Sequence, residues 1–248
     1  MKDAKIRYLT AGDQSLTIEF GNEISEIINS KVRSMRVAIG SRTIGGIIEL
    51  VPTYCSLVVH YDPLIISYDD LVDTLKALEN QLDEISLPEP EVMEIPTLYG
   101  GDYGEDIENV ANYNGITIED VVKIHTSKEY LIYMLGFTPG FPYLDKVDKR
   151  IATPRLKTPR TKVPGGSVGI AGSQTGIYPT DSPAGWQIIG RTPLKLYDPY
   201  REMPILLKAG NYIKFVAIDE DEYKNIEEAV NNRTYVYTVY AKERSGGL

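Results

Sequence analysis

Between Gly136 and Pro193, glycine and proline interrupt the chain so often that no long helix can cross the segment. Ten of the fifteen prolines lie from Pro139 onward. Strand-like pieces sit between the interruptions: EYLIYMLGF, KVPGGSVGIAG, TGIYPT, GWQIIGRT, KLYD and ILLKAGNYIKFVAI. Many short strands divided by Gly/Pro turns argue for a β-barrel or a sandwich. Two short helices precede them. One is expected over Gly104 to Tyr113, and one opens at Thr117, with Asp120 completing a capping box, and runs to about Ser127. A helix near 220–230 and a strand YVYTVYA close the chain.

Residues 1–85 follow a different pattern, that of a small α+β unit. Short strands are expected at 5–9 and 15–20 around the turn Ala11-Gly12-Asp13. Asn22 is a candidate cap for a helix over about 23–39 whose apolar stripe is Ile24, Ile27, Ile28, Val32, Met35 and Ile39. Two further apolar runs follow, IIELV and Leu57 to Val59. A helix opened by Ser67 and Asp70 then carries Leu71, Val72, Leu75, Leu78 and Leu82. Strands with two amphipathic helices suggest a sheet covered on one face, in a ferredoxin-like layer. Residues 86–96, SLPEPEVMEIP, hold three prolines and three glutamates and are the expected linker to a second domain over 97–248.

Composition narrows the function classes. The chain of 248 residues carries a formal charge of −9, which argues against a nucleic-acid binder, since phosphate neutralisation needs a basic excess. One cysteine, Cys55, forbids an internal disulfide, and with only His60 and His125 beside it no classical zinc cluster is expected. No apolar run approaches the roughly 20 residues of a membrane span, and the N-terminus lacks the apolar core of a signal peptide, so a cytoplasmic protein is expected. Tyrosine is abundant, at 18 against 4 Phe and 1 Trp, which suits strands and partly wet surfaces.

The charge is unevenly spread. Lys146 to Lys162 holds seven basic residues (Lys146, Lys149, Arg150, Arg155, Lys157, Arg160 and Lys162) and one acid, Asp148. Such an island can capture a carboxylate or phosphate, dock an acidic protein face, or be a solvated loop. Arg155 and Arg160 each follow a proline, so stiff backbone holds them. Gly165 to Gly169 matches G-x-S-x-G around Ser167, but no helix follows and both histidines precede it, which opposes a serine hydrolase. The common phosphate loop G-x-x-x-x-G-K-[ST] does not occur. His125, at the end of the Thr117 helix, is either a cap or a general acid/base. His60 on an apolar strand and Cys55 are expected to be structural. Trp186 beside Gly185 suits a ligand stack or a core position equally.

The block GFTPGFPYL…TPR…PR…KVPGGSVGIAGSQTGIYP…SPAGWQIIGRTP, with GDQSLTIEFG and VPTYCSLVVHYDP upstream, closely resembles the bacterial 5-oxoprolinase B-subunit family over nearly the whole chain. That family includes the sporulation kinase A inhibitor, is often labelled allophanate hydrolase subunit 1, and is similar to one half of the urea carboxylase carboxyltransferase domain. Two positions depart from its pattern: Gly166 stands where the family usually has Ala, and Ala184 where it usually has Gly.

The resemblance implies a small α/β domain followed by a cyclophilin-like β-barrel. It also implies a soluble subunit, inactive alone, that works with a larger carboxyltransferase-like partner (the C subunit) and a third protein to open 5-oxoproline to glutamate. ATP with Mg2+ would enter at the level of the complex. No Met-Lys-Met biotin-attachment motif occurs in this chain. The alternative role the family offers is inhibition of a histidine kinase by binding. Against the family's motifs, the expected substrate-binding set is Arg155, Arg160, Ser167, Gln174, Thr175, Tyr178, Trp186 and Arg191. His125 is the candidate proton shuttle, and Phe137, Pro139, Gly140, Phe141 and Pro142 form a pocket wall or an interface. Urea-derived and oxoproline-derived substrates share this block.

Overall fold

A turn at Gly12, whose φ of 86° suits glycine, folds strand β1 (Arg7–Thr10) back on β2 (Ser15–Glu19). The computed structural model describes residues 5–243 and divides into two compact units, Met1–Pro88 and Glu89–Leu248. In the first unit, helix α1 (Glu26–Gly40), strands β3 (Ile47–Pro52) and β4 (Ser56–Tyr61) and helix α2 (Tyr68–Glu79) follow that hairpin. The sheet order is β1-β2-β4-β3 with every pair antiparallel. The strands alternate as half-covered strands do: Leu16, Ile18, Leu57 and Val59 point to one side and are sealed. Val32, Met35 and Ile39 of α1 and Leu71, Leu75 and Leu78 of α2 cover them.

A sheet with two helices is therefore present, with connectivity ββαββα. Strands β2 and β3 run parallel, joined by α1, and the antiparallel β4 lies between them, so β2-α1-β3 is the split β-α-β unit of a ferredoxin-like layer, with β1 as the added edge strand. The start of α1 differs from expectation. Ser25, not Asn22, is the N-cap, so Ile24 lies before the helix and Ile27 in its first turn stays exposed. At α2 the cap is as expected: Ser67 Oγ accepts from the Asp70 N–H.

The second unit is built on strand β5 (Glu91–Tyr99), which occupies much of the segment expected as linker. Helices α3 (Ile107–Asn114) and α4 (Ile118–Thr126) follow, α3 ending on Gly115 in the left-handed conformation and α4 opening with the Thr117/Asp120 capping box. Then come β6 (Glu129–Leu135), β7 (Pro142–Leu144), β8 (Arg160–Val163), β9 (Ser167–Ala171), β10 (Gln174–Ile177), β11 (Ser182–Ala184), β12 (Gln187–Arg191), β13 (Tyr212–Ala217), α5 (Glu220–Asn231) and β14 (Val239–Ala241).

The main sheet runs β10-β9-β12-β5-β13-β6-β7, with β14 also on β5, while β8 and β11 form a separate ribbon. Its two ends approach each other. A Cβ on Gly176 of β10 would lie 3.4 Å from the Pro142 carbonyl oxygen of β7, and Val147 N–H donates to Ser173 O at 2.8 Å. The sheet is thus nearly closed and barrel-like. Its interior holds Ile95, Tyr130, Ile132, Val168, Ile170, Ile177, Ile213 and Phe215, with Val110 of α3 and Val121 of α4 packed into the same cluster. Among the described residues no helix is long and apolar enough to cross a membrane.

Candidate functional site: the outer face of the glycine-rich sheet

Successive residues of β9 face opposite sides. Val168 and Ile170 point into the main core, so Ser167, Gly169 and Ala171 point out. On that outer side Phe141, Val163, Ala171, Tyr178, Ala184, Trp186 and Ile188 form a second, smaller apolar cluster. The glycine density has a direct cause here. Gly169 and Gly176 are cross-strand partners, and a Cβ on either would lie 3.2 Å and 3.1 Å from Trp186 atoms. The two glycines form the bed on which the indole rests. Phe141, Tyr178 and Trp186 meet edge to face, with ring centroids 5.5 to 6.0 Å apart. Burial pushes the Tyr178 phenol up to about 12.

One aromatic of this group stands in the open. Phe137, in the β6–β7 turn, is 71% exposed and touches Phe141 edge-on at 5.8 Å. Its φ is 63°, a left-handed conformation that a bulky side chain adopts at a cost of about 1–2 kcal/mol. The turn enforces it: Gly136 N–H donates to Phe141 O, Phe141 N–H to Thr138 O, and Gly140 takes φ 85°. Pro139 is exposed in the same turn, whereas Gly140 and Pro142 are buried. Arg155 is exposed, with its guanidinium 6.0 Å from the Trp186 ring.

Other expected site residues serve the framework. His125 is fully buried. Its Nδ1 lies 2.8 Å from the Tyr99 hydroxyl and its Nε2 2.9 Å from Thr175 Oγ1, which itself donates to Gly169 O at 3.0 Å. One arrangement satisfies all three contacts: Tyr99 O–H donates to Nδ1, and Nε2–H donates to Thr175. The ring packs 4.3 Å from that of Phe215, and burial pushes its pKa down to about 3. A neutral imidazole with both nitrogens engaged and no solvent contact is a core tie between β5, α4 and β10. The general acid/base expected of His125 has no open nitrogen here. Thr175 belongs to the same tie, and Gln174 is half-buried at the head of β10.

Arg160 is committed as well. Its guanidinium grips Asp106 at 2.9 and 2.8 Å and reaches Glu105 at 3.0 Å. Asp106 is almost sealed and also accepts the Ile188 N–H at 2.7 Å. The Arg160–Asp106 pair thus fastens the β8–β11 ribbon to the start of α3. The rest of the basic island is partly quenched: Arg150 pairs with Asp148 and Lys162 with Asp181. Asp106 escaped the sequence reading because a lone acid before an amphipathic helix looks like an ordinary cap. Arg191 remains. It is half-buried on β12, with its guanidinium 5.3 Å from the Tyr103 ring. A concavity of about 910 Å³ in the first unit, bordered by Arg36, Arg42 and Ile48, and one of about 330 Å³ beside Lys123 and Arg150 contain none of the expected site residues.

These features place the chain in a known class. Residues 6–207 match the carboxyltransferase domain, subdomain C and D. The sequence is 43% identical over 230 residues to the 5-oxoprolinase B subunit of Bacillus subtilis, covering 89% of this chain and 96% of that one. It is 37% identical over 214 residues to the 5-oxoprolinase B subunit of Escherichia coli O157:H7, covering 86% and 96%. Among solved structures, TTHA0988 superposes with a TM-score of 0.74 at 36% identity, covering 83% of this chain. The present chain spans 40% of the TTHA0988 chain. The chain belongs to the carboxyltransferase-domain, subdomain C and D family, the one these 5-oxoprolinase B subunits represent.

Proposed function

We propose that this protein is the B subunit of an ATP-dependent 5-oxoprolinase, which opens the lactam of 5-oxoproline to L-glutamate together with a larger carboxyltransferase-like subunit and a third component. The observation that carries the reading is the 43% identity to a 5-oxoprolinase B subunit along 96% of its length. The geometry supports a subunit that completes a site rather than one that holds it whole. Its outer face presents a rigid exposed aromatic, Phe137, and two arginines without a carboxylate partner among the described residues, Arg155 and Arg191. Its buried histidine is closed to proton transfer. Proton transfer then falls to groups contributed by the partner subunits, and the chain alone is inactive.

ATP belongs to the complex in this reading. The Gly165–Ser167 turn does not serve as its phosphate cradle, because the N–H groups of Gly165, Gly166 and Ser167 already bind Asp181, Tyr178 and Pro164. The test is reconstitution: co-purify the chain from its host, identify the companions by mass spectrometry, and assay glutamate release from 5-oxoproline with ATP. Release that requires this chain supports the assignment. Recovery of a histidine kinase without a larger carboxyltransferase-like subunit, and no glutamate release, refutes it in favour of kinase inhibition.

A further inference from the structure

Arg191 and Ser167 are cross-strand partners in the β12–β9 ladder, so their side chains leave the sheet on the same side. Ser167 is fully buried, and its Oγ has no hydrogen-bond partner. The Nε of Arg191 is likewise buried and without an acceptor. A buried donor left unmade costs about 1–3 kcal/mol, so two on cross-strand partner residues call for an explanation. A third lies on the covering ribbon, where Ser182 Oγ is buried and unpartnered.

The cation is held but not neutralised. The Tyr103 ring faces the guanidinium, and among the described residues no carboxylate forms an ion pair with Arg191. The neighbouring acid, Asp181, is already engaged by Lys162 at 2.7 Å and by the Gly165 N–H at 2.9 Å. The other expected anion-binding arginines are placed differently: Arg160 is chelated by Asp106, and Arg155 lies in the open against Trp186.

The donors present also select the anion. A phosphate asks for several N–H groups converging on it. Here the Gly165, Gly166 and Ser167 N–H groups are taken within the turn, and the Thr192 N–H donates to Gly166 O at 2.9 Å. What remains is one planar guanidinium fork and one hydroxyl on cross-strand partner positions, a donor set suited to the two coplanar oxygens of a carboxylate.

We infer that Arg191 and Ser167 form a carboxylate-binding site, the point at which the substrate's carboxylate is held. This rests on the 5-oxoprolinase reading and adds to it the residues that grip the substrate. The experiment is calorimetric titration of the assembled complex with 5-oxoproline in the absence of ATP, for wild type, R191K, S167A and, as a control in the exposed basic loop, K149A. R191K weakens binding about tenfold or more, because an ammonium cannot replace the bidentate fork. S167A weakens it about three- to tenfold, K149A leaves it unchanged, and inorganic phosphate does not compete.

Wild-type binding that R191K and S167A leave intact overturns the inference. So does a wild-type complex that does not bind 5-oxoproline, or phosphate competing as well as 5-oxoproline. Turnover separates this failure from that of the subunit assignment. Normal ATP-dependent turnover in R191K sinks the carboxylate site alone. Arg191-dependent binding without any turnover in wild type sinks the enzyme assignment and keeps the site.

Discussion

Acidification should loosen the second unit through one residue. His125 is fully buried, both ring nitrogens are engaged, and burial holds its pKa down to about 3. In the unfolded chain a histidine titrates near 6.5. Between these values the unfolded state binds a proton that the native state refuses, so stability falls as pH drops. Above about pH 6.5 both states carry a neutral ring and the contribution is flat. At pH 5 the unfolded state has gained about 2 kcal/mol relative to neutral pH, and the slope below 6.5 approaches about 1.4 kcal/mol per pH unit. The figure at pH 5 is insensitive to the native value, provided that value stays well below 5.

The assay is guanidinium unfolding followed by fluorescence of Trp186, the chain's one tryptophan, which sits in the second unit beside the sheet that His125 ties. Wild type and H125Q are compared at pH 7.5 and 5.0. Other titrations are common to both proteins and cancel in the difference. Wild type should lose about 2 kcal/mol more than the variant over that interval. Equal losses in the two proteins would show that His125 takes up its proton without unfolding the core, and the tie described above would be wrong.

Three substitutions test other parts of the framework. R160A leaves Asp106 nearly sealed without its cation and should destabilise the second unit by about 2–3 kcal/mol in the same unfolding assay. F137G relieves the left-handed strain of an exposed residue and should raise stability by about 1 kcal/mol while weakening capture of the larger partner in a pull-down. G166A meets both a φ of 84° and a collision of its Cβ with the Thr192 carbonyl, and should cost about 2 kcal/mol or more in unfolding free energy.

The sequence made visible whatever short-range chemistry decides. Strand β2 shows as a short strand after the Gly12 turn, β4 as the apolar run Leu57 to Val59, and α2 and α4 by Ser67/Asp70 and Thr117/Asp120, because caps and local apolar patterning act within a few residues. Strand β5 was hidden by Pro96 within it and by Pro88 and Pro90 just before it. Pro96 is tolerated because it falls in a notch: β14 pairs with β5 only at Glu91, Val92 and Met93, and β12 only from Leu98. Glu94 donates its N–H toward the β14 side, to Thr238 O, so the N–H that Pro96 lacks would have pointed at the gap. Strand order in the first unit was equally hidden, since the insertion of β4 between β2 and β3 depends on contacts far apart in sequence.

At the candidate site, motif density drew attention to the correct stretch of chain but not to its division of labour. Arg155, Arg160 and Arg191 look alike in sequence, and only the fold shows that Asp106, arriving from more than fifty positions away, claims Arg160. His125 similarly looked available until Tyr99 and Thr175 were seen to close on both nitrogens. Trp186 needs Gly169 and Gly176 beneath it, and this close approach is one of the two readings, turns or close backbone approach, that glycine density in this stretch allows.

The most direct test of the central claim is glutamate formation from 5-oxoproline by the complex purified through a tag on this chain, measured with and without ATP. The account predicts ATP-dependent release of glutamate that disappears when this protein is omitted and returns when it is added back. Release at the same rate without this chain, or no release from a complex containing it and its larger partner, would contradict the assignment.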